Sequence, residues 1–364
     1  MENKNLRIAI THGDTNGTGY EMILKAFEDP TMLELCTPII YGSSKAAAYH
    51  AKTLGLDAQF TYISDAQTAH ESRLNLLDCF KGEEIEIELG HPTEASGQAA
   101  LRALDCAIED YKNGKIDAIV TMPVNRTTMK GFNGHTDYLE RKLGEGAKGI
   151  SLIVCEDMRV ALVTNNLAIK DISESITRQK IVEKCRLFHE ALRRDMRISN
   201  PRIAILSLNP RCGEKGLLGD EEQEVIIPAI AELEESGIQA FGPYAADTFF
   251  GKGDCYRFDG VLAMYHDQGL IPFKANYQNE GIRFSAGLSV VRTAPAIGAE
   301  FELAGSNKME ADSLRNAIYF AIDSLRNRAD YDESHANPLP KLYHERRDES
   351  EKMRFRSPAP ATQK

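Results

Sequence analysis

The stretch LRIAITHGDTNGTGYEMILKAFEDP, residues 6–30, decides the reading of the fold. Leu6 to Thr11 is a short, mostly apolar run and reads as a buried strand. Gly13 to Gly19 supplies a turn, and a helix is expected from about Gly19 to Glu28, with Pro30 helping to stop it. A strand, a glycine-bearing turn and a helix in succession open a βαβ unit. The alternation continues along the chain. Pro38 to Tyr41 is a second strand, followed by a Ser-Ser start and an alanine-rich helix reaching about Lys52. A long helix is expected from about Gly97 to Asn113, with Ala100, Ala103, Leu104, Ala107 and Ile108 on one face. Asp117 to Met122 is then a core strand ending at Pro123. Together these features predict an α/β protein with a mainly parallel sheet.

The middle of the chain changes character. Ser151 to Cys155 and Val160 to Thr164 are joined by Glu156-Asp157-Met158-Arg159, a hairpin signal rather than a crossover, which suggests a second subdomain. Helices follow at about 173–194 and 220–237, with strands at Ile203 to Leu208 and Gly260 to Met264. A last amphipathic helix is expected from about Glu310 to Leu325, and the polar, Ser-Pro-Ala-Pro-containing residues 345–364 form an expected disordered tail. No internal repeat interrupts this pattern.

The chain has 364 residues, which suits two domains better than one. A composition of 42% hydrophobic and 27% charged residues is that of a globular protein. The net charge of -11 argues against a general affinity for nucleic acid or an anionic membrane. No segment approaches the roughly 18 unbroken apolar residues of a membrane span, and the N-terminus lacks the apolar core of a secretory signal; the expected location is cytoplasmic. The seven cysteines are odd in number, scattered and without a CxxC pair, so reduced thiols are expected.

Four segments are placed to carry chemistry. Gly13-Asp14-Thr15-Asn16-Gly17-Thr18-Gly19 lies between a strand and a helix, where backbone N–H groups suit an anion. It satisfies neither GxGxxG nor the phosphate-loop pattern, and a tight turn without a ligand explains it equally well. Asn133-Gly134-His135-Thr136-Asp137 leads into a helix, so His135 and Thr136 could hold a phosphate or carboxylate, or Thr136 or Asp137 could simply cap the helix. Met264-Tyr265-His266-Asp267-Gln268-Gly269 stands at the end of an apolar strand, the side on which open α/β sheets bind ligands, with Lys274, Arg283 and Arg292 following to supply positive charge. Ser207 to Glu214 also begins where a strand stops, and the acids at 220–222 after it suit a helix start without any further role.

In this order the segments resemble the 4-hydroxythreonine-4-phosphate dehydrogenase family of vitamin B6 biosynthesis. The resemblance rests on Gly13, Asp14, Gly17, Gly19 and Glu21, Ser96-Gly97, Met122 to Asn125, Gly134-His135-Thr136, Leu208-Asn209-Pro210, Gly242-Pro243-Tyr244 with Asp247-Thr248, Met264 to Gly269, Arg292-Thr293 and Leu303-Ala304-Gly305. It implies a two-domain α/β/α fold like that of the isocitrate and isopropylmalate dehydrogenases. Residues 1–147 with 285–344 would form one domain, and residues 148–284 the other, carrying dimer and metal-side residues. It also implies a homodimer whose interdomain active site is completed by the partner subunit. The implied reaction is oxidation of 4-phosphooxy-threonine by NAD, followed by decarboxylation to 3-amino-2-oxopropyl phosphate.

The same resemblance assigns residues. His135, Thr136, Lys274 and Arg292 match substrate-binding positions, and Arg283 stands where the family has a substrate-contacting asparagine. His266 matches one of three histidines expected to hold a divalent metal, while Asn166 and Arg211 occupy the other two positions. Arginine has no lone pair to donate, and an amide is a poor ligand beside imidazole. Asp247 and Asp267 are the candidate catalytic carboxylates, and their oxygens would favour magnesium or manganese over zinc. The family's Asp-His-Gly-Thr is here Ala296-Ile297-Gly298-Ala299. Two alternatives to the family reaction follow from these departures: a paralogue acting on another phosphorylated hydroxy acid, and a non-catalytic anion-binding homologue.

Overall fold

The computed structural model describes residues 5–56 and 59–337; the tail expected over residues 345–364 lies outside them. Strand β1 (Arg7–Thr11) runs parallel to its neighbours β2 (Thr37–Gly42) and β5 (Ala118–Thr121). The pleat sends Ile8 and Ile10 to one face and Ala9 to the other, and each face joins its own apolar cluster. Burial on both faces is why this run shows no polar alternation. Helices α1 (Gly19–Ala26), α2 (Ser44–Leu54) and α3 (Glu94–Lys112) accompany these strands. The Ser43 side chain caps α2, and Thr93 and Ser96 form a reciprocal capping box at the start of α3.

Among the described residues twelve strands form one sheet. One wing is β3 (Thr61–Ile63), β4 (Asn75–Asp78), β2, β1 and β5, all parallel. The centre is β12 (Val291–Pro295), β11 (Ile282–Ala286), β6 (Ile150–Val154) and β7 (Arg159–Leu162), each antiparallel to the next. The other wing, again parallel, is β10 (Gly260–Ala263), β8 (Arg202–Leu206) and β9 (Gln239–Tyr244). The β6–β7 pair is the hairpin that its short polar turn predicts. The sheet is therefore mixed α/β, with its chain reversal at the centre.

Three helical stretches differ from the sequence pattern for local reasons. The stretch at 173–194 is two pieces, Ile172–Ser175 and Arg178–Arg194, because Thr177 leaves helical geometry and its side chain caps the second piece. The stretch at 220–237 begins as a π-wound turn, Glu222–Ile226, before Ile227–Glu235. The last helix, Asp312–His335, continues past Leu325 because Arg328 is buried against Asp195 and the carbonyls of Leu288 and Ser289.

The glycine turn after β1 is a packed corner. Every residue from His12 to Tyr20 is buried. Gly13 has a φ of +73°, and a Cβ there would stand 2.5 Å from the Pro123 carbonyl oxygen; at Gly19 it would stand 2.2 Å from the His12 carbonyl oxygen. The Asn16 amide donates to the His91 carbonyl at 2.8 Å and accepts from the Glu88 N–H at 3.0 Å. These glycines serve close backbone contact, which favours the ligand-free reading of the turn.

Candidate active site

The candidate site grows out of the antiparallel centre. Ser285 on β11 stands opposite Arg292 on β12 and Ser151 on β6, and Arg283 stands opposite Ala294. Cross-strand partners project to one face, as do residues two apart on a strand. Ser151, Arg283, Ser285, Arg292 and Ala294 therefore emerge together; Ser151, Arg283, Arg292 and Ala294 line one cleft of about 230 Å³, and Ser285 lies behind them against Thr136 and Arg292. Helix α4 (His135–Leu143) begins at the same cleft. Its N-cap, Gly134, has a φ of 139°, and no side chain caps the helix. A Cβ on Gly134 would also meet the Asn166 side chain at 3.2 Å. The Thr136 hydroxyl is engaged elsewhere, with its Oγ1 2.8 Å from Ser285 Oγ.

Arg292 is buried, and hydroxyls surround it. Its Nε donates to Thr121 Oγ1 at 3.0 Å, Nη2 donates to the same oxygen, and Nη1 reaches Ser285 Oγ at 3.4 Å. Burial, and then the neighbouring Arg283, push its pKa down to about 9, which leaves it charged at neutral pH. Arg283 has neither a hydrogen bond nor an ion pair among the described residues, and burial followed by Arg126 lowers its pKa. Arg126 follows β5 and donates from Nη1 to the Asn133 carbonyl at 3.3 Å. The His135 ring, edge-on to Phe132 at 5.0 Å, is held neutral by burial and by the charges of Arg292 and Arg283. Among the described residues, Asp137 is the only carboxylate lining this cleft. Buried cations without partners are costly, so the arrangement is suited to an incoming anion.

The far side of the cleft comes from Asn165 and Asn166 after β7, and from His266 at the start of α7, for which His266–Tyr277 is the range; between α4 and α7 lie α5 (Arg178–Arg194) and α6 (Ile227–Glu235). His266 Nδ1 is 2.8 Å from Asp267 Oδ1. The Asn166 amide donates to the Asn133 carbonyl at 2.6 Å. A second opening shares Arg126, Asn165, Asn166 and His266 with the first and adds Asp267.

Of the residues singled out from the sequence, His135, Thr136, Arg283, Arg292, Asn166 and His266 line one cleft. Lys274 does not line it, though it is near enough to Arg283 for that charge, after burial, to lower its pKa. Asp247 is exposed near the start of the short helix Ala246–Gly251 and does not line the cleft. Thr121, Arg126, Ser151 and Ser285 belong to the site without having been singled out. Their signal was a hydroxyl inside an apolar strand, or a base just beyond a strand end.

The loop after β8 is held structurally. Buried Glu222 accepts from the N–H groups of Leu208 and Asn209, at 2.8 and 2.7 Å. The next turn is left-handed, with positive φ from Arg211 through Lys215. Arg211 is exposed, pairs through Nη1 with Glu214 Oε1 at 2.9 Å, and does not line the cleft. The family's three-histidine metal does not fit these residues. His266 offers one imidazole, Asn166 a weak amide oxygen, and Arg211 no lone pair at all. No cluster of three or more histidine, cysteine, aspartate or glutamate side chains among the described residues could replace them.

An α/β sheet whose reversed centre supports a cleft of guanidiniums, hydroxyls and neutral imidazole defines a protein built to hold a small anion. The match to known proteins is more specific. Residues 34–321 fit the family described as pyridoxal phosphate biosynthetic protein PdxA, and the chain belongs to that family. It is 51% identical to a 4-hydroxythreonine-4-phosphate dehydrogenase of Bacteroides thetaiotaomicron, over 98% of each chain. It is 34% identical to the enzyme of that name from Aquifex aeolicus, over 88% of this chain and 99% of the relative. A crystal structure of a 4-hydroxythreonine-4-phosphate dehydrogenase from Burkholderia phymatum superposes with a TM-score of 0.70 at 31% identity, covering 88% of this chain and 99% of that one.

Proposed function

We propose that this chain is an NAD-dependent dehydrogenase of pyridoxal phosphate biosynthesis. It would oxidise the hydroxyl of 4-phosphooxy-threonine, and the resulting β-keto acid would lose CO2 to give 3-amino-2-oxopropyl phosphate. The observation that carries this reading is the buried Arg292, held by Thr121 and Ser285 beside Thr136 and His135. These donors are preorganised for a phosphate, with Lys274 adding charge nearby.

The chain's own groups suggest how the proton moves. With Nδ1 of His266 engaged by Asp267, Nε2 is left to accept the hydroxyl proton as the hydride leaves the adjacent carbon. NAD, when bound, supplies the hydride acceptor. A cleft of about 230 Å³ suits the small acid rather than a dinucleotide. The adjoining groove of Val124, Asn125, Arg126, Thr127, Ala299 and Phe301 shares Val124 and Arg126 with it, and fits the cofactor better. As CO2 departs, the pair of the broken C–C bond forms the C=C bond of an enolate and the carbonyl π pair moves to oxygen, where Arg283 would stabilise the charge until a proton is returned to the carbon that lost CO2. No step passes through a metal.

A second reading is favoured by Arg283 itself: a paralogue acting on another phosphorylated hydroxy acid, or a homologue that retains only anion binding. Following NADH formation against a panel of phosphorylated hydroxy acids, with and without divalent metal, separates these readings. Absence of NADH with every acid would leave only the binding homologue. The two-domain division at residues 147/148 and 284/285, the homodimer and the cytoplasmic location belong to the same proposal. No described helix is long and apolar enough to cross a membrane. A protein that sediments as a monomer at micromolar concentration would contradict a cleft completed by a partner subunit.

A further inference from the structure

We infer that Arg283 and Arg292 form a receptor for two anions, in which Arg292 takes the phosphate and Arg283 takes the carboxylate of a small phosphorylated hydroxy acid directly, without a bridging divalent cation. The inference rests on the cleft assignment above and names what distinguishes its ligand.

Arg283 is half-buried in the cleft, yet has no hydrogen-bond or ion-pair partner among the described residues. Stability alone does not explain such a residue, because an unpaired cation removed from water costs free energy. Arg292 is differently placed: three of its five N–H donors go to the hydroxyls of Thr121 and Ser285, leaving two for a ligand. The β-ladder fixes the relation between the two. Arg283 stands opposite Ala294, two positions from Arg292 on the same face. At roughly 3.4 Å per residue this separates their origins by about 7 Å along the strand, enough for two anionic groups at opposite ends of a short carbon skeleton. A guanidinium fork matches a carboxylate with two parallel hydrogen bonds. The donors at Asn166, Arg211 and His266 do not make a tight transition-metal site, so no bound cation stands between Arg283 and that carboxylate.

The test is calorimetry in EDTA without NAD, using three probes: 4-phosphoerythronate, which carries both anions; erythritol 4-phosphate, which replaces the carboxylate by an alcohol; and inorganic phosphate. The unmodified protein should prefer 4-phosphoerythronate to erythritol 4-phosphate by roughly tenfold to a hundredfold, the usual range for a hydrogen bond to a charged group. Arg283→Asn should erase that preference while leaving the affinity for inorganic phosphate nearly unchanged, which also shows that the variant is folded. Arg283→Lys should retain part of it. An unchanged preference in Arg283→Asn, no preference in the unmodified protein, or a preference that appears only with added divalent metal would each overturn the inference. Failure of NADH formation would instead count against the proposed dehydrogenase reaction, because these titrations contain no cofactor.

Discussion

Thr136 Oγ1 and Ser285 Oγ lie 2.8 Å apart, so the first turn of α4 and the central strand β11 share one buried contact beneath the cleft. Ser285 Oγ also lies 3.4 Å from Arg292 Nη1, so the same contact helps to aim the guanidinium. The helix start, the strand and the cation form one unit.

Thr136→Val keeps the volume and removes the hydroxyl. The expected loss of stability is about 1 kcal/mol, the usual net value of one hydrogen bond. Phosphate affinity should fall as well, because both the hydroxyl and the placement of Arg292 change. Thermal unfolding and calorimetry read the two effects; unchanged phosphate affinity would remove Thr136 from the site.

Arg292→Lys is not a conservative change here, since a single ammonium cannot span Thr121, Ser285 and a ligand together. Affinity for a phosphorylated threonine analogue should weaken by about 1.5 to 3 kcal/mol. An unchanged dissociation constant would place the pocket elsewhere.

The sequence reveals those parts of the fold whose burial leaves a simple mark. β1 and β5 are apolar on both faces, and the β6–β7 hairpin has a short polar turn. β11 and β12 escape the same reading because Arg283 and Arg292 break their apolar character, and those arginines belong to the cleft rather than to the core. The site was legible where motifs mark it, at His135, Thr136, His266 and Arg292. Thr121, Ser151 and Ser285 were not, because a lone hydroxyl in a strand gains meaning only from the register that brings it beside Arg292. The glycine turn shows the reverse case: its pattern suggests a ligand, while its Cβ positions are closed off by Pro123 and His12.

Buried histidines should make the fold sensitive to acid. His12 lies stacked on Tyr20 at 5.5 Å, and burial, followed by the charge of His50, pushes its pKa down to about 3. In the unfolded chain the imidazole takes up a proton near pH 6.5 that the folded site refuses. Stability is therefore fully present above about pH 6.5 and is lost as pH falls from there toward the folded value near 3. His50 and His135 are shifted in the same direction, largely by burial, and add to the slope. Denaturant midpoints should decline across this range, and His12→Phe should flatten the decline. A slope identical to that of the unmodified protein would show that His12 is not its source.

The last prediction concerns metal content. His266 is engaged by Asp267 at 2.8 Å, the Asn166 amide is turned to the Asn133 carbonyl at 2.6 Å, and Arg211 is paired with Glu214 at 2.9 Å. A cation approaching His266 finds one good nitrogen donor and the positive charges of Arg126, Arg283 and Arg292 lining the same cleft. Purified protein should therefore carry far less than one zinc, cobalt or nickel ion per chain after dialysis. Elemental analysis that finds stoichiometric zinc in the unmodified protein would overturn the metal-free reading of this cleft, and with it the direct role given to Arg283.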